Sequence, residues 1–120
     1  MKKIVVSLVL GLICSAWFTS VVAISNNYIY MRYTGSSYVV GSYANTVESV
    51  TYDNITIFNY LYIGGVNANS NHKVCLNTTT CQTNEITYPY YSSSSYYSES
   101  GHRGWINNDL ILYSSIIKYL

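Results

Sequence analysis

The sequence predicts an all-β fold, a small antiparallel two-layer sandwich or partly open barrel, preceded by an N-terminal hydrophobic export segment. Three observations lead there. From residue 26 onward, short runs rich in Ile, Val, Thr and Tyr alternate with period two and stop at Gly, Asn or Ser, and no long helical stripe or heptad occurs. Fifteen tyrosines and a single proline, with only 9% charged residues, describe a chain that folds rather than a linker or an acidic tail. Finally, Lys2 and Lys3 precede an uncharged segment over residues 4–24, the pattern of an export signal.

Taken in order, residues 1–23 read as a signal peptide, with the small residue Ala23 following Val21 at the cleavage position. The alternative is an uncleaved transmembrane anchor over residues 4–24, since about 20 apolar residues span the hydrocarbon layer, with the lysines left in the cytoplasm. Trp17, Thr19 and Ser20 interrupt the membrane-centre pattern and favour cleavage. Cys14 does not make a lipoprotein site, because Ile13 stands where a small residue is needed. Either reading exports residues 24–120 as one β-rich domain, secreted or held outside the cytoplasm by its N-terminal segment.

Removing residues 1–23 takes the net charge from +1 to −1. Nothing is left to steer the domain to nucleic acid or to an anionic membrane, and membrane contact is expected only if the leader is retained. A chain this small buries a modest core, so tyrosines must help build it, ring inward and hydroxyl satisfied. Two cysteines remain, Cys75 and Cys81. In an oxidising space they are expected to form a disulfide, a local staple around the polar residues 76–80. Neither the spacing nor the surroundings suggest a redox or zinc site, with His72 the one imidazole nearby.

Residues 26–34 (NNYIYMRYT) alternate as a strand, 38–43 form a short second one after Gly35, and 48–52 (ESVTY) a third that Asp53-Asn54 breaks. Residues 55–63 (ITIFNYLYI) are the clearest strand: Ile55, Ile57, Leu61 and Ile63 share one face, Thr56, Phe58, Tyr60 and Tyr62 the other. Both faces are apolar or aromatic, which predicts a central position; Asn59 weakens the aliphatic face. Gly64-Gly65 ends the run, residues 67–72 (NANSNH) read as a loop, residues 73–76 are a short candidate strand, and Pro89 confines 85–91 to an edge or bulge. The serines at 92–95 read as a loop or solvent-facing strand. Asn107-Asn108 suits a hairpin turn, because asparagine tolerates positive φ. Residues 110–120 favour strand, although Leu112, Ile116 and Leu120 also fit helical spacing.

No catalytic pattern emerges. Ser100-Gly101-His102 is the tightest serine–histidine grouping but lacks the strand-to-helix elbow of a nucleophile, and His102 is expected at a turn. Glu48, Asp53, Glu85 and Glu99 show no spacing that implies a carboxylate pair over a cleft. No phosphate loop or calcium series occurs, so no metal or cofactor is expected. The sequons at Asn54 and Asn77 read as chance matches in an Asn- and Thr-rich chain. The general look, a short leader before a Tyr-, Ser- and Asn-rich β domain, resembles small exported proteins of Gram-positive bacteria and, as loosely, secreted bacteriocins; the resemblance is compositional and assigns no residue a role. The functional expectation is therefore an interaction module without catalysis, recognising a cell-surface glycan, a cell-wall component or a protein. Tyr88, Tyr90, Tyr91, Tyr96, Tyr97 and Trp105 are the densest aromatic group and the candidate binding residues. The alternatives are a bacteriocin-like toxin and a small secreted enzyme or inhibitor.

Overall fold

The structure, a computed structural model, describes residues 23–120; the export segment lies outside the described residues. Among those residues there is no helix, and six antiparallel strands form one strongly curled, half-barrel sheet. They are Ala23–Tyr33 (β1), Tyr38–Ile63 (β2), Val66–Gln82 (β3), Ile86–Pro89 (β4), Tyr96–Ile106 (β5) and Asp109–Tyr119 (β6).

Residues 67–72, expected as a loop, belong to β3 because they pair along β2 from Tyr62 to Phe58; the largest departure from the sequence reading, however, is β2. The three segments expected at 38–43, 48–52 and 55–63 are one strand of 26 residues. Its two punctuation signals have other uses. Gly41 is a site of close packing, where an added Cβ would press into the Tyr30 ring and the Glu85 carboxylate. Asp53 accepts a hydrogen bond from the Asn107 amide at 2.7 Å, so it docks the β5–β6 turn instead of ending the strand. In that turn Asn107 and Asn108 both have positive φ, 51° and 68°, as a two-residue hairpin requires. Residues 110–120 take the strand alternative, with Asp109–Tyr119 paired along β5.

Drawn straight, 26 residues of strand would reach roughly 85 Å, whereas the longest axis of the molecule is 56 Å. β2 therefore folds over. Its pairing with β3 jumps between Val47 and Tyr52, which bulges residues 48–51 out of the ladder. The first half of β2 lies between β1 on one side and β4 and the end of β3 on the other; the second half lies between β3 and β5, with β6 beyond. The central position expected for residues 55–63 is thus observed. The inner faces of the two halves meet: Ser42 is hydrogen-bonded to Asn59, seventeen residues later on the same strand.

The expected disulfide joins Cys75 to Cys81. It is the local staple expected, six residues apart, but within β3 rather than around a free loop. Cys75 pairs with Ile55 and Cys81 with Thr46, on opposite arms of the β2 bend. Six residues of straight strand span roughly 20 Å, but these two Cα atoms are 5.7 Å apart. β3 turns back on itself, with Asn77 at φ 50°, and the disulfide clamps the corner where the layers meet. Cys81 is buried in the core beside Ala44, Tyr52, Ile55, Ile57 and Leu112.

A second apolar cluster, Val40, Leu61, Ile86 and Tyr96, occupies the other end. Between the two runs a buried polar band. Ser42, Asn59 and Ser98 form a closed triangle of contacts between 2.6 and 3.3 Å. His102, fully buried, is held by Thr46 at Nδ1 and Ser100 at Nε2, both at 2.8 Å. The asparagine that weakened the aliphatic face and the histidine expected at a turn are therefore interior residues, each satisfied by hydroxyls from facing strands.

Candidate recognition surface

Period-two alternation turns every second residue of β2, β3, β5 and β6 outward, and register sets these side chains in rows. Tyr62, Tyr97 and Tyr119 align across three strands, with Tyr62 and Tyr97 stacked at 4.7 Å and 8° and Tyr97 on Tyr119 at 5.5 Å. The next row holds Tyr60, Glu99 and Ile117. The third holds His72, Phe58, Gly101 and Ser115, with Phe58 and His72 stacked at 5.7 Å. The fourth holds Thr56, Arg103 and Tyr113; the Arg103 guanidinium lies 5.5 Å from the Tyr113 ring centroid, a cation–π distance. The result is an aromatic face spanning these strands. In its middle a groove of about 260 Å³ opens among Phe58, Tyr60, Glu99, Gly101, Arg103, Tyr113, Ser114 and Ser115.

The other layer carries its own ring cluster. Tyr28 stacks on Tyr43 at 4.6 Å, and Tyr30 leans on the same ring at 6.1 Å. Tyr30 reaches across Gly41 to hydrogen-bond the Glu85 carboxylate, which Arg32 also grips through Nε at 3.0 Å and Nη2 at 2.6 Å. This group ties β1 to the start of β4 over the top of β2. Hydrogen bonding from Arg32 holds the Glu85 carboxyl below its usual range. Burial, followed by the same carboxylate, pushes the Tyr30 phenol up to about 12.

The six aromatic residues singled out in the sequence lie in three places. Tyr97 and Trp105 both face outward on β5, eight residues and roughly 26 Å apart. Tyr96 is 3% exposed; its hydroxyl donates to the Pro89 carbonyl at 3.0 Å and accepts from the Tyr91 amide at 2.7 Å. Tyr90 stacks on Tyr96 at 5.8 Å, and Tyr88 packs against the second core cluster. Tyr88 and Tyr91 also line a separate groove of about 410 Å³ with Ile63, Val66, Asn67 and Ala68. Sequence reasoning did not single out Phe58, Tyr60, Arg103 or Tyr113 as a group. They come from three strands, and only the alternation of each strand, combined with the register, brings them together.

The Ser100–His102 grouping does form, inside the protein. Burial lowers the His102 pKa to about 4, and its second nitrogen meets the Thr46 hydroxyl. Among the described residues, no three of His, Cys, Asp or Glu gather in a geometry that could hold a metal ion.

No protein-family model and no curated protein matches the sequence. Two solved structures are similar in shape. A "putative beta-galactosidase" from Bacteroides fragilis aligns with 78% of this chain at TM-score 0.49 and 10% identity, and this chain spans 15% of it. A protein from Archaeoglobus fulgidus aligns with 85% of this chain at TM-score 0.37 and 10% identity, with 93% of its own length covered. Neither likeness is close enough to carry an argument.

Proposed function

We propose that this domain is an exported, non-catalytic recognition module that binds a carbohydrate surface through its outer aromatic face. The observation that carries the reading is the row of Tyr62, Tyr97 and Tyr119 above a groove with aromatic walls, on a face formed by β2, β3, β5 and β6. Tyr62 and Tyr97 stack face to face and present ring edges, while Tyr119 at the end of the row is 74% exposed; rigid aromatic side chains give contact area at small entropic cost, and hydroxyls and amides around them supply adaptable hydrogen bonds. The inner faces are taken by aliphatic side chains and a band of Ser, Thr, Asn and His, and of the tyrosines only Tyr52 and Tyr96 are buried, so the remaining rings lie at or near the surface. The Ser100–His102 grouping is enclosed in the interior, with both ring nitrogens of His102 taken by hydroxyls. Export is supported by the Cys75–Cys81 disulfide, since such bonds persist in oxidising compartments.

The test is retention of the full chain on insoluble cellulose, chitin and bacterial cell-wall sacculi. A Tyr97→Ser, Tyr119→Ser double variant is expected to lose retention by about tenfold or more while melting as the wild type does. Loss of folding in step with retention, or wild-type chain that passes through all three matrices, would sink the reading.

A further inference from the structure

Among the described residues, three glycines lie inside strands without positive φ: Gly41, Gly101 and Gly104. In two of them a ring of the protein itself occupies the missing side chain's space. An added Cβ at Gly41 would collide with the Tyr30 ring, and at Gly104 with Tyr52, whose Cδ2 would be 2.5 Å away. At Gly101 nothing lies within 4 Å of the added Cβ. Backbone conformation does not require a glycine there, and neither does packing. Glycine costs a strand stability, and one that neither conformation nor packing requires leaves room for a ligand to approach the backbone. Gly101 is also the floor of the groove on the aromatic face.

We propose that the groove over Gly101 is a subsite for one uncharged pyranose ring of a polysaccharide, an inference that rests on the carbohydrate reading above. The ring lies on the glycine as Tyr30 lies on Gly41, against Phe58, Tyr60 and Tyr113. The rim decides in favour of a sugar over an aromatic side chain of a protein. Glu99 and Arg103 stand on the same face of β5, two residues to either side of Gly101. The carboxylate accepts from vicinal hydroxyls and the guanidinium donates to ring or hydroxyl oxygens. Ser115, opposite Gly101 in register and exposed, adds a hydroxyl to the same groove. One carboxylate and one guanidinium cancel in charge, so the groove selects a neutral sugar rather than an acidic or amino sugar.

The test is calorimetric titration of the full chain with cellotetraose, mannotetraose, maltotetraose and their uronic-acid and amino-sugar counterparts. Gly101→Val keeps the fold, because its side chain meets open space and β-branched residues suit strands; it is expected to abolish binding by filling the subsite. Glu99→Gln and Arg103→Gln are each expected to weaken binding about tenfold, and Tyr91→Ser, in the other groove, to leave it unchanged. Wild-type-like binding by Gly101→Val overturns the subsite while leaving the aromatic-face reading intact. Tighter binding of a charged sugar overturns the assignment to neutral rings. Wild-type chain that binds none of these sugars and none of the insoluble matrices overturns both.

Discussion

Two buried titratable side chains set opposing pH dependences. His102 has its pKa lowered by burial from 6.5 to about 4. Its contribution to stability is full above about pH 6.5 and is lost as pH falls through about 4, because the unfolded chain binds the proton more readily. Glu48, 6% exposed at the β2 bend, is raised from 4.5 to about 7 by burial, which the facing Tyr52 hydroxyl offsets only in part. Neither of its oxygens has a hydrogen-bond partner of good geometry. Its contribution is full below about pH 4.5 and is lost as pH rises through about 7. Between those limits the two slopes cancel, so wild-type stability is expected to be nearly flat from about pH 4.5 to 6.5. Denaturant midpoints measured across that range should fall with decreasing pH in Glu48→Gln and with increasing pH in His102→Gln. After allowance for solvent screening, each change is about 1–2 kcal/mol. Parallel slopes in the two variants would contradict the assignment. In the same interior, Asn59→Ala strips the Ser42 and Ser98 hydroxyls of their shared partner and should cost about 1–3 kcal/mol by urea unfolding.

At the level of elements, the bend in β2 is what makes a two-layer protein from one sheet. It depends on the bulge at residues 48–51 and on the clamp formed by β3, where Cys75 and Cys81 tie the two arms together. The loop closed by the disulfide is short, so the chain-entropy contribution is about 2–3 kcal/mol. Replacing both cysteines by serine adds a polar group at the buried Cys81 position. The double variant is therefore expected to lose more than reduction alone, a comparison that melting with and without reductant reads directly. Equal losses would mean that the Cys81 site adds nothing beyond the covalent link. The hairpin at Asn107 and Asn108 is tied to the same bend through Asp53, so the turn that reverses β5 into β6 also braces the middle of β2.

Over the whole molecule, β2 is the organising strand: it pairs with β1, β3, β4 and β5, and every other strand except β6 uses it as a template. Amides in the second half of β2, flanked by β3 and β5 and closed over by the first half, are expected to exchange last in native-state hydrogen exchange, near the global unfolding limit. Those of β6, which pairs only with β5 and exposes Leu110, Ile111, Tyr113, Ile117 and Tyr119, should exchange earlier. Uniform protection across the sheet would argue against this hierarchy. On the outer faces the rings meet in pairs, Tyr28 with Tyr43 on one layer and Tyr62 with Tyr97 and Tyr119 on the other.

What the sequence determined by itself is what short-range chemistry decides. Alternation set the strand character, Asn107 and Asn108 the hairpin, the mixed faces of residues 55–63 their central position, and two cysteines their pairing. Each follows from φ preference, side-chain period or proximity along the chain. Tertiary structure decided the rest: that Gly41 and Asp53 continue β2 instead of ending it, that His102 and Asn59 turn inward, and that Phe58, Gly101, Arg103 and Tyr113 share one groove. These outcomes depend on register between residues far apart in sequence. A slip of one position exchanges the two faces of a strand, and nothing local distinguishes a glycine that receives a neighbour's ring from one left open.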